Sequence, residues 1–343
     1  MITDENGEAS VFSSVKDEYN ALRYGVALRD ISSNNLVKLF GNNVLGFLDR
    51  LTANRLDNIP GNINNPALFT NHDGNIIERA TLLNMDNMVM LSGCADLNKK
   101  ISKWIKRYIS LEDIIFEDVT NKYFQLEILG PQKEGFMSLI CEDCFTKILE
   151  NNIVHVTING YNFFVTHIKD FGIDKYYIFG NNEFLKPIAE YLFEKEKLFD
   201  LKLVGNSAYN IYRVEQGLPL VPYEINDTRN PLEIGLKDEV DFQKRNFIGH
   251  EAFTTEFINK NVTKQLVAVT FDNGFESNGE LKIIDETNNS IGDVSSLIKS
   301  ELLQKYLALA FVDKKVLNSG NELFAYNGKN KSKLHKIELP LRK

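Results

Sequence analysis

Asn259-Lys-Asn-Val-Thr263, followed by Leu266-Val-Ala-Val-Thr270, marks a change in the character of the chain. Beyond it the sequence holds short β-type runs at 266–270, 281–284 and 323–326. Asparagine–glycine pairs, Asn278-Gly279 and Asn327-Gly328, punctuate them as turns. Short strands with such turns are the signature of a small β-barrel or sandwich. The residues ahead of this point alternate between strand and helix. Apolar and polar residues alternate over 34–40, and residues 42–51 place Val44, Leu45, Leu48 and Leu51 on one helical face. Residues 67–70 and 76–84 flank the turn Asn71-His-Asp-Gly74 as a hairpin, with a further strand at 88–91. Residues 97–108, 135–150 and 183–197 read as helices, and Gln125-Leu-Glu-Ile-Leu-Gly130-Pro131 as a strand ending before one. This is an α+β pattern. The arm up to about residue 14 is polar and is expected to be partly mobile. The expected organisation is a region over 15–258, made of two α+β subdomains, and a barrel over 262–343.

With 343 residues the chain can bury substantial cores, and 43% hydrophobic against 25% charged residues is a globular balance. A net charge of −8 repels polyanions, so nucleic acid is not the expected partner. No apolar run reaches the roughly 18 residues of a membrane span. The opening Met1-Ile-Thr-Asp-Glu-Asn is neither a secretory signal nor a transit peptide, so the expected location is the cytoplasm.

Three cysteines are too few for a disulfide framework. Cys141-Glu-Asp-Cys144 has metal-site spacing, but no second ligand pair accompanies it, and two incidental thiols in a helix are expected. No metal is expected. His72 and His167 read as turn or surface histidines. There is no glycine-rich nucleotide loop and no Gly-x-Ser-x-Gly elbow, so nucleotide-dependent and serine-hydrolase chemistry lack support.

Several segments, in order, resemble the glycine-cleavage T-protein (aminomethyltransferase) superfamily. They are Asp30-Ile-Ser32, Leu51-Thr-Ala-Asn54 with Pro60-Gly61, Leu126-Glu-Ile-Leu-Gly130-Pro131, and Arg213-Val-Glu215-Gln-Gly217-Leu-Pro219. Asn230-Pro-Leu-Glu-Ile-Gly-Leu236, Lys244-Arg-Asn-Phe-Ile-Gly-His-Glu251 and Ile291-Gly-Asp-Val-Ser-Ser296 continue the series. The resemblance implies a three-domain ring with a C-terminal β-barrel around a central folate channel. It implies tetrahydrofolate, or a 5-substituted derivative, as cofactor, aminomethyl or methyl transfer as chemistry, and a lipoylated carrier protein as partner. A sister branch, the YgfZ-type folate-binding proteins of iron–sulfur enzyme maintenance, carries a cysteine in the stretch matching residues 244–251. This chain has none there.

Glu215 is the residue that the family motif assigns to the pterin, whose ring amide and amine are parallel donors suited to a carboxylate. Arg213, from the same motif, and Tyr176, an aromatic able to stack on a flat ligand, are grouped with it as folate-site residues. The family's catalytic aspartate falls on Arg79 in Gly74-Asn-Ile-Ile-Glu-Arg79. Arginine neither exchanges protons near neutrality nor stabilises a neighbouring cation. Glu78 is the replacement candidate, but on a strand it points away from the Arg79 face and is expected to be a solvated strand residue. A non-catalytic folate-binding accessory protein is therefore the rival reading, and Arg79 favours it.

Overall fold

The computed structural model describes residues 2–3, 9–95, 99–271 and 281–341. The turn read at Asn278-Gly279 lies outside these residues, as do residues 4–8 of the arm and the first residues of the helix read at 97–108, which is observed as Lys100–Tyr108. In the arm, Ile2–Thr3 pairs with Ala9–Val11. The first helix, Val15–Tyr24, shows how local chemistry sets an element. The Ser14 side chain accepts from the Asp17 N–H at 3.1 Å, Asp17 and Glu18 occupy the positive end, and Gly25 returns its N–H to the Ala21 carbonyl.

The chain divides into two compact units, Met1–Phe69 with Glu78–Tyr212, and Thr70–Ile77 with Arg213–Lys343. The first contains a six-stranded sheet in the order Ile153–Ile158, Tyr161–Asp170, Ile173–Asn181, Tyr123–Leu129, Val26–Asp30, Leu201–Leu203. Only the last pair is parallel. Alternation sends Val26, Leu28, Phe124, Leu126, Ile128 and Ile178 to one face, where helices Lys133–Cys141 and Leu185–Phe193 cover them with Phe136, Met137, Ile188 and Leu192. On the other face Ile168, Tyr177 and Phe179 join Leu36, Leu83 and Met90 from a five-stranded sheet. That sheet runs Ile63–Thr70, Ile76–Met85, Met88–Ser92, Leu36–Gly41, Ile114–Asp118.

In the second unit six strands close on themselves. The order is Lys264–Phe271, Tyr306–Asp313, Ser290–Lys299, Lys282–Ile284, Phe324–Tyr326, Lys331–Ile337, and the last pairs again with the first. Val267, Val269, Ile283, Ala308, Ala310 and Ala325 fill the interior, with small alanines where a narrow barrel has little room. The strand-rich tail is thus a closed barrel. The turn at residues 71–74 is also present, with the Gly74 N–H donating to the Asn71 carbonyl and Gly74 at φ 74°.

Gly130, the residue that ends the strand before Pro131, sits at φ 96°, and a Cβ there would lie 2.4 Å from the Gly25 carbonyl oxygen. Backbone cannot yield as a side chain can. Gly130→Ala should cost about 2 kcal/mol or more, read as a lowered urea midpoint with an unchanged slope.

Candidate functional site

The helix Asn206–Gln216 carries the Arg213 to Gly217 motif at its C-terminal end, and the second unit begins there. Arg213 is 1% exposed. Its Nη1 donates to Glu224 Oε2 at 2.9 Å and to the Leu218 carbonyl, and its Nη2 donates to Ser296 Oγ at 2.6 Å. Glu224 has no exposed surface and also accepts from the Leu220 N–H, Ser295 Oγ and Ser296 Oγ. Arg213 therefore braces the helix end and the following loop against the barrel strand Ser290–Lys299. Its hydrogen bonds here position the helix end.

Glu215 is also fully buried. Ser300 Oγ donates to its Oε1 at 2.6 Å and the Leu302 N–H at 3.3 Å, while its backbone carbonyl accepts from Leu341. Ser296 and Ser300 lie four residues apart on one barrel segment, so the same segment clasps Arg213 and holds Glu215.

In the first unit, Tyr176 is 2% exposed within the apolar cluster under the helices, stacked on His167 at 4.8 Å and near Phe145 at 6.2 Å. Its ring is packed on both neighbours. His167 is not in a turn, and its side chain is only 14% exposed. It lies in the strand Tyr161–Asp170 and bonds through Nε2 to Asp174.

Glu78 and Arg79 do lie on opposite faces of the strand Ile76–Met85. Glu78, however, is not solvated. It is 2% exposed, its Oε2 accepts from Cys94 Sγ at 3.1 Å, and its Oε1 accepts from the Arg79 N–H. Arg79 pairs with Asp170 above the ring of Phe171, its Nη1 donating to Oδ2 at 3.0 Å and its Nη2 lying 2.9 Å from Oδ1 without a hydrogen bond.

Farther along the sheet, Glu127 takes Arg29 Nη1 on Oε2 at 3.0 Å and Lys175 Nζ on Oε1 at 2.5 Å. Burial pushes the Glu127 carboxyl up, but Lys175 and Arg29 outweigh it and hold it at about 2. Burial pushes Lys175 down, and Glu127 more than reverses this, raising it. Glu224, Ser300, Asp170, Glu127 and Lys175 were not singled out from sequence. A charged residue inside an apolar strand, as in Gln125-Leu-Glu-Ile-Leu, was the available signal.

Cys141 is buried and its thiol is pushed up to about 12 by burial first and Cys144 second, which makes it an unreactive core residue. Among the described residues no cluster of His, Cys, Asp and Glu could hold a metal, and no helix is long and apolar enough to cross a membrane.

These features define an α+β protein in which a closed C-terminal barrel braces a helix end bearing a buried carboxylate. Residues 4–244 match the family described as the GCVT N-terminal domain. The chain belongs to that family. It is 26% identical to an aminomethyltransferase of Thermoanaerobacter sp. (strain X514) over 319 residues, 91% of this chain and 85% of that protein. It is 28% identical to an aminomethyltransferase of Caldanaerobacter subterraneus subsp. tengcongensis over 316 residues, 91% of this chain and 83% of that protein. The crystal structure of glycine cleavage system aminomethyltransferase T from Bartonella henselae superposes with a TM-score of 0.84, covering 97% of this chain and 90% of that one. At 19% identity that likeness carries the fold.

Because Glu127 sits below its unfolded value of 4.5, the stability it contributes is fully present above that pH and is lost as pH falls towards about 2. Glu127→Gln should be less stable at neutral pH yet show a shallower loss across that acid window. Chemical unfolding at several pH values checks this.

Proposed function

We propose that the chain is a tetrahydrofolate-dependent one-carbon transferase of the aminomethyltransferase kind, with Glu215 as the pterin anchor. Residues 15–258 would form the folate-binding region and 262–343 the barrel. The observation that carries the reading is Glu215 itself, which stands in the Arg213-x-Glu215-x-Gly217 motif as a buried carboxylate already working as a hydrogen-bond acceptor. The donor set suits the ligand, since a carboxylate in a desolvated place is the acceptor that an amide and amine edge requires.

Bound reduced folate supplies the nitrogen nucleophiles that carry the one-carbon unit. The protein's share is positional. The Arg213, Glu224 and Ser296 brace fixes the helix end, and Ser300 sets the rotamer of Glu215. Since Glu215 has no accessible surface, ligand entry requires some of the groups packed on it to shift. A lipoylated carrier protein is the partner that this chemistry would use.

Calorimetry with tetrahydrofolate tests the anchor. Glu215→Ala should weaken binding by about 2–4 kcal/mol, because buried ligand donors lose their acceptor. An unchanged affinity in a folded variant would remove Glu215 from the site.

A second reading, a folate-binding accessory protein without turnover, is favoured by the Arg79–Asp170 clamp and by Glu78 facing the other way. Binding without one-carbon transfer to or from a lipoylated carrier would support it. Arg79→Asp alone should destabilise the protein by about 2 kcal/mol, since it sets a carboxylate beside a now unpaired Asp170. Under the transferase reading, the double change Arg79→Asp with Asp170→Asn should restore stability and raise activity. If the double variant folds and binds folate with no gain in turnover, the missing aspartate is not what limits the protein.

A further inference from the structure

The second face of the six-stranded sheet is apolar where Tyr177 and Phe179 lie and charged towards its other end. There the strand registers set Arg29 opposite Glu127 and bring Lys175 beside it. We propose that Arg29 and Lys175 form a binding site for a carboxylate group.

Among the described residues Arg29 and Lys175 share the hydrogen bonds of one carboxylate, Glu127. Asp170, the next acid along, also attracts Lys175 but is paired with Arg79. Arg79 Nη1 donates to Oδ2 at 3.0 Å while Oδ1, 2.9 Å from Nη2, is buried without a hydrogen bond, so three cations face two acids. Both oxygens of Glu127 are already engaged, one by each cation. At the Glu127 carboxylate itself the donors outnumber the acceptors. Among the described residues Lys175 Nζ, with its three protons, meets Glu127 alone, and Arg29 Nε is buried with no acceptor. An excess positive charge held away from bulk water with unanswered donors is costly, and one further anion relieves both deficits.

The geometry is prepared for a planar anion. Arg29 lies over the ring of Tyr209 at 3.8 Å and is tied to Asn206 Oδ1, so its plane is fixed before a ligand arrives. The side chains of Arg29 and Lys175 keep 16% and 15% exposure, which leaves a route from solvent. A monoanionic carboxylate, with one charge and two acceptor oxygens, matches the deficit. It could belong to a free amino acid or to the glutamyl end of a conjugated ligand.

Thermal unfolding of the full chain, titrated at constant ionic strength, tests this with probes that lack a pterin, so its outcome is separate from that of Glu215→Ala. Acetate, glycine and p-aminobenzoylglutamate are the probes, and acetamide and chloride the controls. A saturable rise in Tm with a carboxylate and none with acetamide is expected. A response to glycine alone assigns the site to a small amino acid, and one to p-aminobenzoylglutamate alone to a glutamyl tail. Lys175→Met should weaken the responding probe by about tenfold or more, on losing a charge-assisted hydrogen bond. Glu127→Gln, which raises the positive excess, should tighten it. The proposal is overturned if no carboxylate gives a saturable rise, or if Lys175→Met responds as the wild type does. Should Lys175→Met fail to fold, the wild-type contrast between the three carboxylate probes and acetamide decides alone.

Discussion

A guanidinium and a carboxylate buried together hold the second unit in order. Arg213 and Glu224 are 1% and 0% exposed. Removing two charges from water costs several kcal/mol per ion, and the cost is met only when every remaining lone pair and proton finds a partner. Here each does useful geometric duty. Glu224 collects the Leu220 N–H and two barrel serines, while Arg213 adds the Leu218 carbonyl and Ser296. The end of the helix, the loop after it and a barrel strand are thereby joined through one set of bonds. A Met–Leu pair of equal volume could be as stable, but it would not dictate how far the helix end stands from residue 300. Since Glu215 is two residues from Arg213 and bonded to Ser300, the spacing imposed by the ion pair is the spacing in which the candidate anchor sits.

Much of the fold was legible because periodicity and turn chemistry act locally. The barrel strands, the turn closed by Gly74 and the helix beginning at Val44 follow from alternation, a glycine at positive φ and an apolar helical stripe. The burial of Glu78 was also written in the sequence. Ile76, Ala80 and Leu82 share its parity and are all buried, so the face it occupies had to be the inner one. Alternation alone says that Glu78 and Arg79 part company. It takes the neighbours two residues away to say which goes inside.

The surroundings of Arg213 and Tyr176 were less accessible. A motif names residue types at a spacing, and an arginine beside a candidate ligand site looks like a ligand contact. Its partner, Glu224, is eleven residues on, past a loop, and no local rule brings the two together. Tyr176 and Tyr177 are adjacent on a strand and so face opposite ways. Tyr176 enters the helix-covered core and Tyr177 bonds Gln125, and only the placement of the covering helices distinguishes them.

The charged row of the first unit follows the same rule as the brace of the second, with one difference that matters. In the brace, each charge is balanced within the protein. Around Glu127 the balance among the described residues stops short by one negative charge, since Arg29, Lys175 and Arg79 face only Glu127 and Asp170. In a network serving only stability, two cations hydrogen-bonded to one acid are a compromise, because their mutual repulsion offsets part of what each gains from it. An incomplete network on a sheet face with a solvent path is what a protein needs if the missing charge is to come and go.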